Sequence, residues 1–283
     1  MKLKNLRKVA IIGMGFMGGS LGAILLKKKI CREVIGIGRN IKKLKIALQK
    51  KSATFITTDL KNGLKDVDIV VISLPVNLIP AAFMKIKPYI GRDTVVTDMG
   101  SVKGIIVEKI SKIDSNKNFI GSHPMVGSEK SGIKNIIPEI FINGTCIVTP
   151  HKNSDKRKLK IIENFWQQTG MRIVKMDAKS HDKYISRISH FPHIVSFVLT
   201  NMAATIIEKK KEIIGRGFKD ITRIAASDEE IWADIFIANK NEILKDIDIA
   251  IEELDALSQM IYLNKERELK NYILNAKKLR RRI

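Results

Sequence analysis

Residues 9–21 read VAIIGMGFMGGSL, a short apolar run that leads into glycines spaced as G-x-G-x-x-G. The β-branched run is typical of a buried parallel strand. Gly13 permits a tight turn, Gly15 lets a pyrophosphate approach the backbone, and Gly18 lets the next helix pack closely on the strand. That helix is predicted from residue 16 to residue 29, with its free N–H groups facing the phosphates. The motif therefore predicts a dinucleotide site rather than a glycine-rich turn without a ligand.

The composition is that of a globular chain long enough for two domains. The chain has 283 residues, of which 45% are hydrophobic, so it can bury a substantial core. Its two cysteines, Cys31 and Cys146, predict no disulfide framework and a cytoplasmic location. The basic start resembles a secretory leader, but five glycines between Gly13 and Gly22 interrupt the apolar run. No segment reaches the roughly 18 apolar residues of a membrane span, so we expect none.

The formal net charge of +22 first suggests a nucleic-acid partner. The lysines are nevertheless scattered over predicted helix faces, and only segment 277–282, KKLRRR, forms a dense basic block. Aromatic residues make up only 6% of the chain, and no RNA-binding signature occurs. We therefore expect solvated lysine faces, no nucleic-acid partner, and a positive field that attracts an anionic cofactor and substrate.

Strand and helix patterns alternate up to about residue 177 and then change. Strands are predicted at 33–37, 68–74, 94–98, 119–121, 146–149 and 172–175, and helices at 41–50, 102–113 and 155–169. This alternation predicts an α/β domain of the doubly wound Rossmann type over residues 1–177. Beyond it, long helical patterns are predicted at 180–211, 227–240 and 242–275. Residues 178–283 are therefore expected to form a second, all-helical domain.

The end of the second strand bears on the choice of cofactor. A carboxylate that binds the ribose 2′-hydroxyl is expected about 20 residues after the glycines, but Gly38 stands there. The next residue, Arg39, can receive a 2′-phosphate, which tilts the expectation weakly toward NADP. Arg39 can equally stack on adenine or simply be exposed, so the choice between NAD and NADP stays open.

Histidine is scarce, and four of the five histidines fall where chemistry is expected. His123 follows a predicted strand, where an α/β sheet presents its catalytic groups. His181, His190 and His193 lie near the start of the helical domain. Metal binding by the last two is conceivable, but Pro192 separates them and no third ligand is evident. We therefore expect no metal, with packing or capping as the ordinary role of such histidines.

Several segments, in order along the chain, resemble the prephenate and arogenate dehydrogenase family of tyrosine biosynthesis. They are the glycine turn at 13–21, DMGSVK at 98–103, HPMVGSE at 123–129, HD at 181–182, SHFPH at 189–193, GFKDITRIA at 217–225, WADI at 232–235 and NK at 239–240. The glycine turn alone is a weak signal, but the ordered set covers nearly the whole chain. The resemblance implies the oxidative decarboxylation of prephenate by an oxidised nicotinamide cofactor, giving 4-hydroxyphenylpyruvate and CO2.

The resemblance also implies roles for particular side chains. His123 is the expected general base or polariser of the substrate hydroxyl, and Ser101 is expected to hold that hydroxyl and the nicotinamide in register. Arg223 offers the bidentate fork that a substrate carboxylate requires. Further substrate contacts are expected at His193, Lys219, Glu129, Ser189 and Trp232. Cofactor contacts are expected at Gly13, Gly15, Phe16, Met17, Gly18, Arg39, Ser73, Pro75 and Ser101.

The same resemblance implies a homodimer formed through the helical domain. Arogenate is the alternative substrate. A β-hydroxyacid dehydrogenase is a less favoured alternative, because the catalytic lysine motif of that class is not evident. A non-catalytic nucleotide sensor or nucleic-acid-binding protein is the alternative from another class. No segment resembling a chorismate mutase precedes Val9 and no ferredoxin-like regulatory domain follows Ile283, so a monofunctional enzyme is expected.

Overall fold

A computed structural model describes residues 6–127 and 132–282 of the chain. Its first part is built on a parallel five-stranded sheet with the strand order β3-β2-β1-β4-β5. The strands are β1 (Leu6–Ile12), β2 (Cys31–Ile37), β3 (Phe55–Thr57), β4 (Ile69–Ile72) and β5 (Val95–Asp98). The helices that alternate with them are α1 (Phe16–Lys27), α2 (Ile41–Gln49), α3 (Leu60–Gly63), α4 (Ile79–Ile86) and α5 (Gly104–Ser111).

Apolar residues cover both faces of this sheet. Along β1, Val9 and Ile11 pack into one buried cluster, whereas Ala10 and Ile12 pack into the other. This alternation explains why the first strand is a continuous apolar run, since a parallel sheet with helices on both faces has no polar side. The strand order reverses between β1 and β4, so the crevice of a doubly wound sheet lies at their carboxyl ends.

Three further strands form a second, mixed sheet. β6 (Gly121–Met125) pairs antiparallel with β7 (Thr145–Thr149), which pairs parallel with β8 (Arg172–Lys175). Helix α6 (Lys156–Thr169) lies between β7 and β8 in the chain and ends at Gly170, whose φ is +108°. The strand predicted at 119–121 starts at Gly121 instead. Only a single bridge, between Val96 and Phe119, pairs that region with β5.

Beyond β8, the described chain is helical, as predicted. The first helices are α7 (Ala178–Ile185), α8 (Phe191–Met202), α9 (Ala204–Lys209), α10 (Arg216–Thr222) and α11 (Glu229–Ala238). The single helix expected at 180–211 is wrong, because a π-helical turn (Ser186–His190) separates α7 from α8, and a further break separates α8 from α9. Pro192 lies in the first turn of α8. Proline has no N–H for the regular α-helical bond, so an irregular turn before it is expected.

The chain divides into two compact units, Met1–Asn239 and Lys240–Ile283. The second unit contains α12 (Lys240–Tyr262) and α13 (Glu266–Arg280), joined by a tyrosine–glutamate hydrogen bond from Tyr272 Oη to Glu253 Oε2 of 2.9 Å. The single helix expected at 242–275 is therefore wrong. The turn between the two helices contains Asn264 with a φ of +51°, a conformation that asparagine tolerates better than most residues. The domain boundary expected at residue 177 stays a prediction.

Within the described ranges, no helix has both the length and the apolar character needed to cross a membrane.

Candidate active site

Three glycines shape the turn between β1 and α1. Gly13 has a φ of +97°, and a Cβ there would lie 2.1 Å from the carbonyl oxygen of Ser73. A Cβ on Gly18 would lie 2.1 Å from the carbonyl oxygen of Gly13, so α1 packs directly on this turn. Gly15 differs, because a Cβ there would meet no atom within 4 Å. The space beside Gly15 is therefore open at the N-terminus of α1.

This open space fits the pyrophosphate of a dinucleotide. Gly15 is the N-cap of α1 and provides no side-chain cap, so no capping side chain competes for the first N–H groups of the helix. Phe16 is buried and Met17 is half-buried in the first turn of α1. Ser73 and Pro75 directly follow β4, whose carboxyl end flanks the same crevice. The residues expected from sequence to contact the cofactor therefore lie at one edge of the sheet.

Arg39 follows β2 at this edge and is exposed. Its neighbour Gly38 supplies no carboxylate, and Asn40 caps α2 by accepting a hydrogen bond from the N–H of Lys43 at 3.2 Å. The guanidinium of Arg39 is therefore accessible to a ligand near the end of β2. No carboxylate stands at Gly38, where one that binds the ribose 2′-hydroxyl was expected.

A buried ion pair organises the turn that carries Ser101. Asp98, the last residue of β5, and Lys103 are both fully buried, and their side chains form a salt bridge. Asp98 also accepts hydrogen bonds from the N–H groups of Gly100 at 2.9 Å and Ser122 at 3.1 Å. These bonds satisfy a carboxylate that would be very costly to bury alone. The turn that presents the half-buried Ser101 is thereby tied to β6.

His123 is the buried imidazole of this site. It lies in the middle of β6 and pairs with Ile147 of β7, and its Nδ1 is 2.9 Å from Nε2 of His181. Burial lowers the pKa of His123 well below its usual value, and the neighbouring His181 and Lys103 lower it further. The ring is therefore uncharged at neutral pH, which is the form that can accept a proton.

His181 and Asp182 lie on α7, which brings the helical segment against β6. Nδ1 of His181 lies 2.8 Å from Oδ1 of Asp182. The two oxygens of Asp182 also accept the backbone N–H groups of Lys103 and Gly104, each at 2.7 Å. The carboxylate therefore joins α7 to the start of α5. Burial lowers the pKa of His181, and the hydrogen bond with Asp182 opposes that shift.

His193 and Trp232 form a second part of the site. Their rings stack with centroids 3.5 Å apart and an interplanar angle of 22°. His193 Nδ1 lies 2.9 Å from the carbonyl oxygen of Ser189, so this nitrogen carries the hydrogen and Nε2 is the acceptor. Burial lowers the pKa of His193, and the positive charge of Arg223 lowers it further. Ser189, His193, Trp232 and Arg223, all expected from sequence, are thus brought into one neighbourhood.

His190 and Asn239 connect the two parts. The amide of Asn239 donates to the backbone oxygen of Asp182 at 3.0 Å and to Nδ1 of His190 at 3.1 Å. Burial lowers the pKa of His190 to about 4, against the opposing effects of Asp182 and of the Ser101 backbone. A network of buried polar groups therefore runs from the Ser101 turn through α7 and α8 to the last residue of the first unit.

The cations expected to meet a substrate carboxylate lie on the accessible side of the chain. Lys219 in α10 is exposed, and so is Arg223, which directly follows that helix and acts on His193 through its charge. Within the part of the chain that the structure describes, Lys219 forms no hydrogen bond or ion pair with the other predicted site residues. Glu129, a further expected substrate contact, lies outside the described residues. Among the residues that are described, no group of three or more His, Cys, Asp and Glu side chains is arranged to hold a metal ion.

Sequence reasoning assigned no catalytic or ligand-binding role to several residues of this network, and it gave the histidines among them only packing or capping. These residues are Asp98, Lys103, His181, Asp182, His190 and Asn239. All six lie inside the motifs quoted above, and this position was the only feature of the sequence that could have pointed to them. A charged or imidazole residue that is predicted to be buried must find a partner, so each was a candidate for a polar network.

Comparison with known proteins gives the same architecture and a family. Residues 23–175 match the family profile described as prephenate dehydrogenase, nucleotide-binding domain, and residues 177–275 match prephenate dehydrogenase, dimerization domain. A prephenate dehydrogenase of Bacillus subtilis (strain 168) is 31% identical over 96% of this chain and 75% of its own length. A cyclohexadienyl dehydrogenase of Zymomonas mobilis is 27% identical over 90% of this chain and 88% of its own length.

Solved structures agree with these relatives. The prephenate dehydrogenase of A. aeolicus, in complex with hydroxyphenyl propionate and NAD+, superposes with a TM-score of 0.91 at 32% identity and covers 99% of both chains. The arogenate dehydrogenase of Synechocystis superposes with a TM-score of 0.83 at 26% identity, covering 96% of this chain and 98% of that one. Since the two profiles together span most of the sequence and the relatives match along its length, this chain belongs to the prephenate dehydrogenase family.

Proposed function

We propose that this NAD(P)-dependent dehydrogenase converts prephenate to 4-hydroxyphenylpyruvate and CO2. The observation that carries the proposal is the buried, uncharged imidazole of His123 beside the Ser101 turn, in a chain of this family. The related A. aeolicus enzyme was crystallised with NAD+ and hydroxyphenyl propionate, which supports both a nicotinamide cofactor and a hydroxyphenyl compound as ligands here.

The side chains divide the work of this reaction. When bound, the nicotinamide ring supplies the acceptor for the hydride that leaves C4 of the substrate. His123 accepts the proton of the C4 hydroxyl, and Ser101 holds that hydroxyl in register. The ring carboxylate then leaves as CO2, its electron pair enters the ring, and His123 can return the proton to the phenol oxygen. Aromatisation of the ring supplies much of the driving force.

Substrate recognition rests on charge. Prephenate is a dicarboxylate, and Arg223 offers paired donors and a permanent charge for one of its carboxylates. Lys219 precedes Arg223 by about one helical turn, and Arg223 is close enough to His193, whose Nε2 is unprotonated, to act on it through its charge. Two cations in this region favour the keto acid side chain of prephenate over the ammonium-bearing side chain of arogenate, which we keep as the alternative substrate.

The cofactor itself is proposed to be NAD or NADP, with a weak preference for NADP. The exposed Arg39 and the missing carboxylate at Gly38 support a 2′-phosphate contact. Steady-state kinetics with both cofactors, for the wild type and for Arg39→Ala, decide between them. A strong preference for NAD, with unchanged NADP kinetics in Arg39→Ala, would overturn the phosphate contact.

We also propose a homodimer formed through the helical segment 178–283. Large apolar side chains in this segment are exposed in a single chain, among them Ile188 at 67%, Met202 at 77% and Ile237 at 75%. Exposed apolar side chains of this number are typical of a surface that a partner covers. Light scattering at micromolar concentration tests this proposal, and a monomer there would contradict it.

One assay tests the function directly. The formation of reduced cofactor is followed at saturating NAD and NADP with prephenate, arogenate and a simple β-hydroxyacid. We expect the highest kcat/KM with prephenate, and a loss of about 10²-fold in kcat for His123→Asn. The matched control is His151→Asn, which changes a histidine in the loop after β7, outside the network, and should leave kcat unchanged. Near-wild-type turnover by His123→Asn at saturating prephenate would remove His123 from the mechanism.

A further inference from the structure

His123, His181 and Asp182 form a linear series of hydrogen-bonded groups. The two separations are 2.9 Å between the imidazoles and 2.8 Å between His181 and the carboxylate. His123 is 7% exposed and His181 is fully buried, so water does not compete for these bonds. The roles of donor and acceptor along the series therefore follow from the one group whose role is fixed.

That group is Asp182, because an ionised carboxylate only accepts hydrogen bonds. Nδ1 of His181 must therefore carry the hydrogen that Asp182 accepts. A neutral imidazole has only one N–H, so Nε2 of His181 is an acceptor. Nδ1 of His123 must then donate to it, which leaves Nε2 of His123 without a hydrogen. In the uncharged state the series admits only this assignment.

The anchoring of Asp182 makes the assignment rigid. Each of its oxygens accepts a backbone N–H at the start of α5, from Lys103 and from Gly104, at 2.7 Å. These two bonds orient the carboxylate, because turning it away from the start of α5 would leave both N–H groups without acceptors. The backbone oxygen of Asp182 is held in turn by Asn239.

We infer that His181 and Asp182 are positioning residues that hold His123 in the tautomer whose Nε2 is free to take the proton of the substrate hydroxyl. The inference rests on the proposed function for the identity of the proton donor. In the step, the O–H bond of the hydroxyl breaks and an Nε2–H bond forms on His123. The positive charge then lies one hydrogen bond from His181 and two from the carboxylate of Asp182.

The surrounding charges define what this series contributes. Lys103, with Asp98 as its partner, and His190 also act on this group of rings, and the lysine disfavours a charged imidazole. The charge of Asp98 is paired with Lys103 Nζ, whereas Asp182 is linked to His123 by hydrogen bonds through His181. Asp182 therefore offsets part of the cost of charging His123 during the reaction.

The test compares two substitutions of His181, of which one keeps a hydrogen-bond acceptor for His123 and the other removes it. His181→Gln keeps an acceptor near the position of Nε2, because the glutamine amide oxygen can reach the same place. His181→Leu removes the acceptor while it keeps an apolar side chain in a buried position. We expect His181→Leu to lower kcat about 10²-fold with KM for prephenate changed less than threefold, and His181→Gln to recover at least tenfold of that loss.

The tautomer is read independently of turnover. ¹⁵N-histidine NMR of the full-length protein shows which ring nitrogen of His123 carries hydrogen, and the His123→Asn spectrum assigns the signal. We expect Nδ1–H in the wild type and in His181→Gln, and a mixture of tautomers in His181→Leu. Thermal unfolding and NADH affinity verify that the variants are folded.

Hydrogen on Nε2 of His123 in the wild type would overturn the inference. So would folded His181→Leu and His181→Gln proteins with equal kcat. Failure of the proposed function is a separate outcome, because the wild type would then show the expected tautomer but no turnover of prephenate.

Discussion

At Gly15, a substitution that adds one methyl group is expected to weaken cofactor binding without changing the stability of the fold. A Cβ at Gly15 would meet no atom within 4 Å, and the residue is extended with a φ of −85°, outside the left-handed region that favours glycine. Gly15→Ala should therefore change the free energy of unfolding by less than about 0.5 kcal/mol. The added methyl occupies the open space that we assign to the pyrophosphate, so the dinucleotide must move away from the N–H groups of α1.

The magnitude follows from the hydrogen bonds at risk. A hydrogen bond to a charged group contributes about 1.5–3 kcal/mol, and every 1.4 kcal/mol is about tenfold in affinity. Loss of one such bond to the pyrophosphate therefore weakens NADH or NADPH binding by about 10- to 100-fold. Fluorescence titration with each reduced cofactor measures this change, and thermal unfolding of the same samples measures stability.

Gly18→Ala is the matched control, because the same methyl group there meets backbone. It would lie 2.1 Å from the carbonyl oxygen of Gly13 and 3.1 Å from Cγ2 of Ile11. Either α1 or the turn must move, which should cost about 1–3 kcal/mol in stability. Wild-type cofactor affinity in a folded Gly15→Ala protein would refute the placement of the pyrophosphate. Equal destabilisation by the two substitutions would refute the open space at Gly15.

Three further outcomes are expected. Arg223→Ala should raise KM for prephenate by the equivalent of about 2–5 kcal/mol and leave NADH binding nearly unchanged, and an equal loss of cofactor affinity would contradict the carboxylate contact. Stability should fall as the pH drops from about 6.5 to 4, because the unfolded chain then protonates His190 while the folded chain, with a pKa of about 4, does not. This side chain accounts for about 3 kcal/mol of that fall, so His190→Gln should flatten the profile of unfolding free energy against pH. Lys103→Met should lower the free energy of unfolding by about 3–5 kcal/mol, because it leaves the buried carboxylate of Asp98 unpaired. The double variant with Asp98→Asn should recover part of this loss, as measured by denaturant unfolding.

The sequence predicted those parts of the fold that are encoded locally. The β1 strand and the α1 helix follow from one apolar run and three glycines. The three-residue strand β3 (Phe55–Thr57) was not predicted, because it is too short and too exposed to show a pattern. The predicted helix at 242–275 failed for a related reason. Helical periodicity continues on both sides of a three-residue turn at 263–265, in which Asn264 is left-handed and Lys265 is also non-helical.

The site was harder to predict than the fold because its contacts join distant positions. His123 and His181 are 58 positions apart, and Asp182 meets Lys103 at a separation of 79. No local pattern specifies such a pair, so motif resemblance could name His123 as a base without indicating what orients it. The second part of the site was hard to predict for the same reason, since the stacking of His193 on Trp232 depends on how α8 and α11 pack.

Lys103 explains how two strands and one helix hold a single imidazole. Its ammonium pairs with Asp98 at the end of β5 and donates to the carbonyl oxygen of Ser122 in β6 at 2.9 Å. Its backbone N–H donates to Asp182 of α7. The two buried carboxylates are therefore satisfied by the same residue, one through its side chain and one through its main chain. Because an unpaired buried charge is costly, a shift of Asp98 would leave the Lys103 ammonium without its ion pair, and a shift of Asp182 would leave the Lys103 N–H without an acceptor. The base on β6 and the histidine on α7 thus share a frame that is set by electrostatics rather than by apolar packing alone.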